Sequence, residues 1–206
     1  MGTRNHELSQ NFLRSPRIAG ELIGHSKIRK RDLVVEVGAG SGVITTALAM
    51  RAKEVWAIEP DAVACAKLRA NLERREIRNV RVLQKGFQEV ALPTEPYKVL
   101  ANPPFHLAAE IFYWLLGLEN DGGEIREILN KDGGSIVNRP EGIWLILQKQ
   151  MALKMIPTDR HYTSQLGKIL MKEYDCRIRL PLKGTDFTPP PKVPVVFWEA
   201  KRRIIR

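Results

Sequence analysis

The sequence predicts a doubly wound α/β fold, a mostly parallel sheet with helices on both faces. Three observations carry that prediction. Short apolar runs alternate with helical patterns along most of the 206 residues, as βαβ units require. A glycine-rich turn, Gly38-Ala39-Gly40-Ser41-Gly42, separates the first apolar run from a helical pattern. A carboxylate, Glu59, closes the second run 21 positions beyond Gly38.

In chain order, Ser15-Pro16 marks a helix start, with Ile18, Leu22 and Ile23 as its apolar stripe. Leu33 to Val37 reads as a buried first strand, followed by the glycines and a helix through Thr45–Arg51. Val55 to Ile58 is a second short strand, and Asp61 starts a helix with Ala64, Leu68 and Leu72 on one face. Val80–Leu83 and Tyr97–Ala101 read as strands three and four, Ala108–Leu118 as an apolar helix, and Ile143–Leu147 as a fifth strand. Tyr174–Leu180 and Val195–Trp198 form a closing pair, which makes seven strands. Residues 119–141 stand apart as a polar stretch with Gly122-Gly123 and Gly133-Gly134 around a short helical pattern at Ile125, Ile128 and Leu129. It reads as a mobile insertion or a lid, with the mobile insertion favoured because glycine pairs weaken local order. The length suits one domain, with residues 1–31 as an N-terminal contact segment and residues 181–206 as a proline-rich segment, last strand and basic tail.

Lys and Arg number 33 against 23 acidic residues, a formal charge of +10. That excess points to a polyanionic partner, although by itself it fits a soluble protein that merely happens to be basic equally well. Cys65 and Cys176 lack metal-ligand spacing and read as reduced thiols in or near the core. The first residues carry no apolar run of signal-peptide type, and no apolar stretch reaches the ~20 residues of a membrane helix. A cytoplasmic monomer without metal or membrane contact is expected.

The sharpest local signal is Glu36-Val-Gly38-Ala-Gly40-Ser-Gly42, where a strand ends and a helix begins. Glycines let a ligand approach the backbone closely, and a carboxylate at Glu59 can accept hydrogen bonds from both hydroxyls of a ribose. The dinucleotide fingerprint fails, because its last position is Val43, and no G-K-[ST] follows the glycines as a P-loop requires. Glu36 would repel a pyrophosphate but suits the sulfonium and ammonium of S-adenosyl-L-methionine. A methyl-donor site is therefore expected.

Asn102-Pro103-Pro104-Phe105 follows the fourth strand, at the edge where α/β sheets place their ligands. The prolines stiffen the loop and leave its carbonyls outward. An exocyclic amino group on a base is a poor nucleophile, because its lone pair is delocalised into the ring. Hydrogen bonds from its two hydrogens to the Asn102 side-chain oxygen and the Pro103 carbonyl would favour the sp³ form, and Phe105 could stack on the extruded base. His106 reads as a helix-start residue rather than a catalytic one.

Glu7-Leu8-Ser9-Gln10-Asn11-Phe12-Leu13, Glu36–Gly42, Glu59-Pro60, the Asn102 loop and Asp186-Phe187-Thr188-Pro189-Pro190-Pro191-Lys192-Val193 together resemble the rRNA adenine N6-methyltransferases. That group holds the erythromycin-resistance (Erm) enzymes of large-subunit rRNA and the dimethyladenosine transferases of small-subunit rRNA. The resemblance covers nearly the whole chain except residues 119–141. It implies a seven-stranded, Rossmann-like class I methyltransferase fold that uses S-adenosyl-L-methionine. It also implies that Gln10, Asn11 and Leu13 line the donor pocket, that Gly38 and Gly40 lie beneath the donor, and that Glu59 holds its ribose. Pro60 would flank its adenine, and Asn102 would touch both donor and target base.

Three departures stand out. The family usually has Asn-Ile-Pro or Asn-Leu-Pro, whereas Asn-Pro-Pro-Phe is also found in guanine N2 and protein-glutamine methyltransferases. The usual acidic residue near the donor's adenine is Gly86 here, leaving adenine recognition to Phe87, backbone groups or water. The family's small C-terminal helical domain is not seen after the last strand.

The expected function is methylation of adenine N6 in 23S rRNA, with RNA binding and macrolide-type resistance as consequences. The alternatives are 16S rRNA adenine dimethylation, guanine N2 methylation, or an inactive RNA-binding assembly factor. Candidate RNA contacts are Arg4, Arg14, Arg17, Lys27 to Arg31, Arg160-His161-Tyr162 and the tail Lys201 to Arg203.

Overall fold

The computed structural model describes residues 11–129, 131, 135–156 and 163–203. Seven strands form the central sheet: β2 (Leu33–Val37), β3 (Glu54–Ile58), β4 (Val80–Leu83), β5 (Tyr97–Ala101), β8 (Gly142–Gln148), β9 (Tyr174–Leu182) and β11 (Val195–Arg202). Their order is β4-β3-β2-β5-β8-β11-β9. The first five pair in parallel. Strand β11 inserts antiparallel between β8 and β9. A separate two-stranded pair joins β1 (Phe12–Leu13) to β10 (Phe187–Thr188).

Alternation along the buried strands divides the core between the two sheet faces. On one face Val34, Leu100, Ile146 and Phe197 pack against Ala19, Leu22 and Ile23 of α1 (Pro16–His25) and Ile44 and Leu48 of α2 (Val43–Ala49). On the other, Val35, Val99, Leu145 and Trp198 meet Ile111, Phe112 and Leu115 of α4 (Ala108–Leu116) and Leu166 and Leu170 of α6 (Gln165–Glu173). The helices start where their capping residues fall. Ser15 accepts from the Ile18 N–H before Pro16, and Asp61 accepts from Ala64 N–H at 2.6 Å to open α3 (Ala62–Arg74). A five-residue helix, α5 (Lys149–Leu153), follows β8 directly. No described helix is long and apolar enough to cross a membrane.

The polar stretch after α4 differs from its expected form. In place of a short helix it forms a hairpin, β6 (Leu118–Asp121) and β7 (Glu124–Glu127). Its turn is Gly122-Gly123, with φ of 58° and 99°. Two consecutive positive φ values make the tight mirror-image turn that matches strand twist, and this overrides the weak helical spacing of Ile125, Ile128 and Leu129. Arg139, buried beside it, donates to the Leu116 carbonyl at 3.0 Å and pairs with Glu127 and Glu173. The Asn138 amide reaches the carbonyls of Pro93, Thr94 and Glu95. Helix α4 begins just after the Asn102 loop and runs back down the sheet, and Glu141 N–H then meets the Tyr97 carbonyl at the start of β5. The hairpin therefore sits at the end of the sheet opposite Asn102, and is not a lid over that loop. Gly133 and Gly134 lie outside the described residues.

Candidate active site

A cavity of about 530 Å³ opens at the carboxyl ends of β2, β3 and β5. Here the strand order departs from β2 in both directions, the place where doubly wound sheets bind ligands. The volume is that of a small-molecule site.

One wall is the turn between β2 and α2. The Gly38 and Ala39 N–H groups both donate to the Ile58 carbonyl, at 2.9 and 3.1 Å, so the turn is fastened to the end of β3. Gly42 has φ 95°, and a Cβ there would stand 2.4 Å from Leu68 Cδ1, so no other residue fits without displacement. Glu59 braces the same turn. Its two carboxylate oxygens accept from Gly40 N–H at 2.8 Å and Asp61 N–H at 3.0 Å. Each oxygen keeps lone-pair capacity, and the residue lines the cavity.

Glu36, one residue before the end of β2, is 1% exposed and also lines the cavity. Its Oε2 has no hydrogen-bond partner, and neither has the hydroxyl of Thr45 on α2. Burial pushes the Glu36 carboxyl up to about 8; the nearby Thr45 hydroxyl offsets part of that rise and the Glu59 charge adds to it.

The facing wall is the Asn102 loop. Asn102 Nδ2 donates to the Asn11 carbonyl at 2.7 Å, and Asn11 Nδ2 donates to the Pro189 carbonyl at 2.8 Å. The pairing of β1 with β10 and an Arg14 N–H bond to the Asp186 carbonyl complete this clamp. With its amide nitrogen engaged, Asn102 has its side-chain oxygen left as an acceptor. Pro103 and Pro104 lie over Gly38, 3.9 and 3.6 Å from where its Cβ would be.

The third side is Gly86-Phe87-Gln88. Gly86 N–H is taken by the Glu89 carboxylate at 2.9 Å, and its carbonyl accepts from Glu89 N–H. Phe87 is buried, edge-on to Trp114 with centroids 5.6 Å apart. Among the described residues, no group of His, Cys, Asp and Glu could hold a metal ion.

The donor set fits a cationic nucleoside. A buried carboxyl with one oxygen left without a partner suits a positive charge, Glu59 can accept from a diol, and Ile58, Pro60, Phe87 and Ile111 offer apolar surface to a flat ring. The sequence matches the family described as Ribosomal RNA adenine dimethylase over residues 1–203. The chain belongs to that family. Its fold is the class I methyltransferase fold, and S-adenosylmethionine is the cofactor.

Within the Ribosomal RNA adenine dimethylase family, a Ribosomal RNA small subunit methyltransferase A of Acaryochloris marina is 27% identical over 90% of this chain and 65% of its own length. An rRNA adenine N-6-methyltransferase of Enterococcus faecalis is 27% identical over 97% of this chain and 71% of its own. The 23S rRNA methyltransferase ErmE superposes with a TM-score of 0.76, at 23% identity, over 94% of this chain and 70% of that one, a likeness of fold.

Most residues singled out in the sequence meet at the cavity: Asn11, Leu13, Glu36, Gly38, Glu59, Pro60, Gly86, Phe87, Asn102, Pro103 and Pro104. Gln10 lies outside the described residues, as do Arg4 and Arg160-His161-Tyr162. Gly40 supports the turn through Glu59 and is flanked by the Phe12 ring instead of facing the cavity. Phe105 is half-buried and is not among the residues that line the cavity. It opens a 3-10 turn, Phe105–Leu107, in which His106 and Leu107 take the cavity side while Phe105 packs on the α1-side core.

The aromatic ring that lines the cavity and stays 49% exposed is Phe12. Its place next to Asn11 and Leu13 was the available signal. Gln88 and Ile111 carry no sequence mark of their own; the strand ends and α4 bring them in. The basic tail is also less free than its composition suggests, since Lys201, Arg202 and Arg203 pair with Glu199, Glu173 and Asp175. Arg14 and Lys27 stay exposed.

Proposed function

We propose that this chain methylates N6 of an adenine in ribosomal RNA, with 23S rRNA as the favoured substrate and macrolide-type resistance as the consequence. The observation that carries the reading is Asn102, a residue of the cavity lining anchored through its amide nitrogen to Asn11, which leaves its side-chain oxygen as the acceptor. An exocyclic amino group is the donor that matches it. Bound S-adenosylmethionine supplies an electrophilic methyl on a sulfonium leaving group.

The chain's residues do the rest. Asn102 Oδ1 and the Pro103 carbonyl accept the two amino hydrogens, which turns the nitrogen lone pair out of conjugation and toward the methyl group. Glu59 and Glu36 hold the donor's ribose and cation; Gly38 allows its close approach. Phe12 takes the stacking role on the extruded base. The methylated nitrogen gives its proton to solvent, so no general base is required. Gly86, whose N–H is taken by Glu89, leaves the donor's adenine to Phe87 and the Gln88 side chain.

The 23S assignment is supported by the Glu7–Leu13 opening; a relative named for the small subunit and one named only as an rRNA adenine N-6-methyltransferase each share 27% identity with the chain. RNA contact through Arg14 and the Lys27–Arg31 loop, as a monomer, belongs to the same reading.

The test is methyl transfer from labelled S-adenosylmethionine to purified 23S and 16S rRNA, followed by nucleoside analysis. N6-methylated adenosine in 23S rRNA is the expected product. Label in 16S rRNA or in guanosine overturns the target assigned here, and unchanged macrolide susceptibility in a sensitive bacterium expressing soluble protein overturns the resistance.

A further inference from the structure

Among the described residues, Glu36 is the buried carboxyl of the cavity wall with an oxygen, Oε2, that has no hydrogen-bond partner. The groups that bear on it come from two neighbouring elements. Glu59, at the end of β3, repels a charge on it, and Thr45, on α2, faces it with a hydroxyl that makes no well-formed bond. Among the described residues lining the cavity, His106 is the only side chain able to turn positive, and it lies on the Asn102 side. An anion at Glu36 would therefore be desolvated, unpaired and opposed by a second carboxylate, which favours the neutral acid. Glu59 itself is held by two backbone N–H groups.

We propose that Glu36 exchanges a proton for the donor's positive charge: neutral in the empty cavity, it ionises as the cationic donor binds. The O–H bond of the carboxyl breaks, its electron pair stays on the oxygen, and the proton leaves to the buffer. The inference rests on reading the cavity as the methyl-donor site. It makes donor affinity pH-linked, tightening by up to ~tenfold per pH unit until the empty-site carboxyl itself ionises near pH 8. It also gives the donor-free protein a signature. A carboxyl held above its unfolded value adds stability that is full below pH 4.5 and is lost as pH rises toward about 8.

Calorimetric titration with S-adenosylmethionine at pH 6.5, in buffers of different ionisation enthalpy, counts the protons. At that pH the donor's own α-ammonium, with a pKa of about 8, stays charged. Wild-type protein is expected to release close to one proton per donor bound, and Glu36→Gln none. Donor-free melting curves between pH 5 and 9 supply the second measurement: wild type loses stability relative to Glu36→Gln as pH rises. Donor heat with no buffer dependence in wild type, or parallel melting curves for both proteins, overturns the proton exchange and leaves the donor site standing. Absence of any donor heat overturns the donor site and the exchange together.

Discussion

The two walls of the cavity are built at very different chain distances. The donor wall is closed locally: Gly40 and Glu59, 19 positions apart, are joined by one hydrogen bond across neighbouring strands. The wall around Asn102 is assembled from the chain's distant parts, through bonds spanning 91 positions to Asn11 and 178 from Asn11 to Pro189. The local wall is held by backbone geometry within the sheet. The distant wall depends on the short β1–β10 pair, whose register sets where Asn11 presents its carbonyl. On the proposed reading, donor binding belongs to the sheet edge and target handling to the clamp.

Damage to the local wall should be the most severe. Gly42→Ala forces a side chain into φ 95° against Leu68. It should lower stability by ~3 kcal/mol through strain and overpacking, read as a fall in Tm. Glu59→Ala removes the acceptor of two backbone N–H groups and the proposed ribose contact. A loss of ~2 kcal/mol in stability and a ~10- to 100-fold weaker donor are expected, by melting and calorimetry. Unchanged donor affinity would separate Glu59's bracing of the turn from any ligand role. Asn11→Ala should be milder. It cuts the Pro189 bond but leaves the Asn11 backbone carbonyl, so turnover should fall ~10-fold, the worth of one hydrogen bond. A kcat unchanged by that substitution would mean that the clamp does not govern the target side.

The same contrast explains what could be read in the residues. The sheet strands, the glycine turn and Glu59 were legible because strand period, turn chemistry and short spacing are local signals. Val80–Leu83 and Tyr97–Ala101 match their expected bounds. The opening and proline-rich motifs could be recognised separately, but nothing in either indicates that Phe12 lies opposite Thr188. The placing of Phe105 is of the same kind: a side chain's direction in a 3-10 turn follows from packing against the α1-side core, which no spacing encodes. The Gly122-Gly123 hairpin was concealed by apolar residues that happen to fit a helical interval, although the paired glycines were its true signal.

The claim at the centre of this account is that Asn102, and not the donor wall, activates the target amine. It is tested by measuring, for Asn102→Ala and wild type side by side, donor affinity by calorimetry and single-turnover methyl transfer to rRNA. Asn102→Ala should still bind the donor but transfer at a rate lower by at least ~10²-fold, the loss of a contact made in the transition state. Transfer at the wild-type rate by a folded, donor-bound Asn102→Ala protein would contradict it.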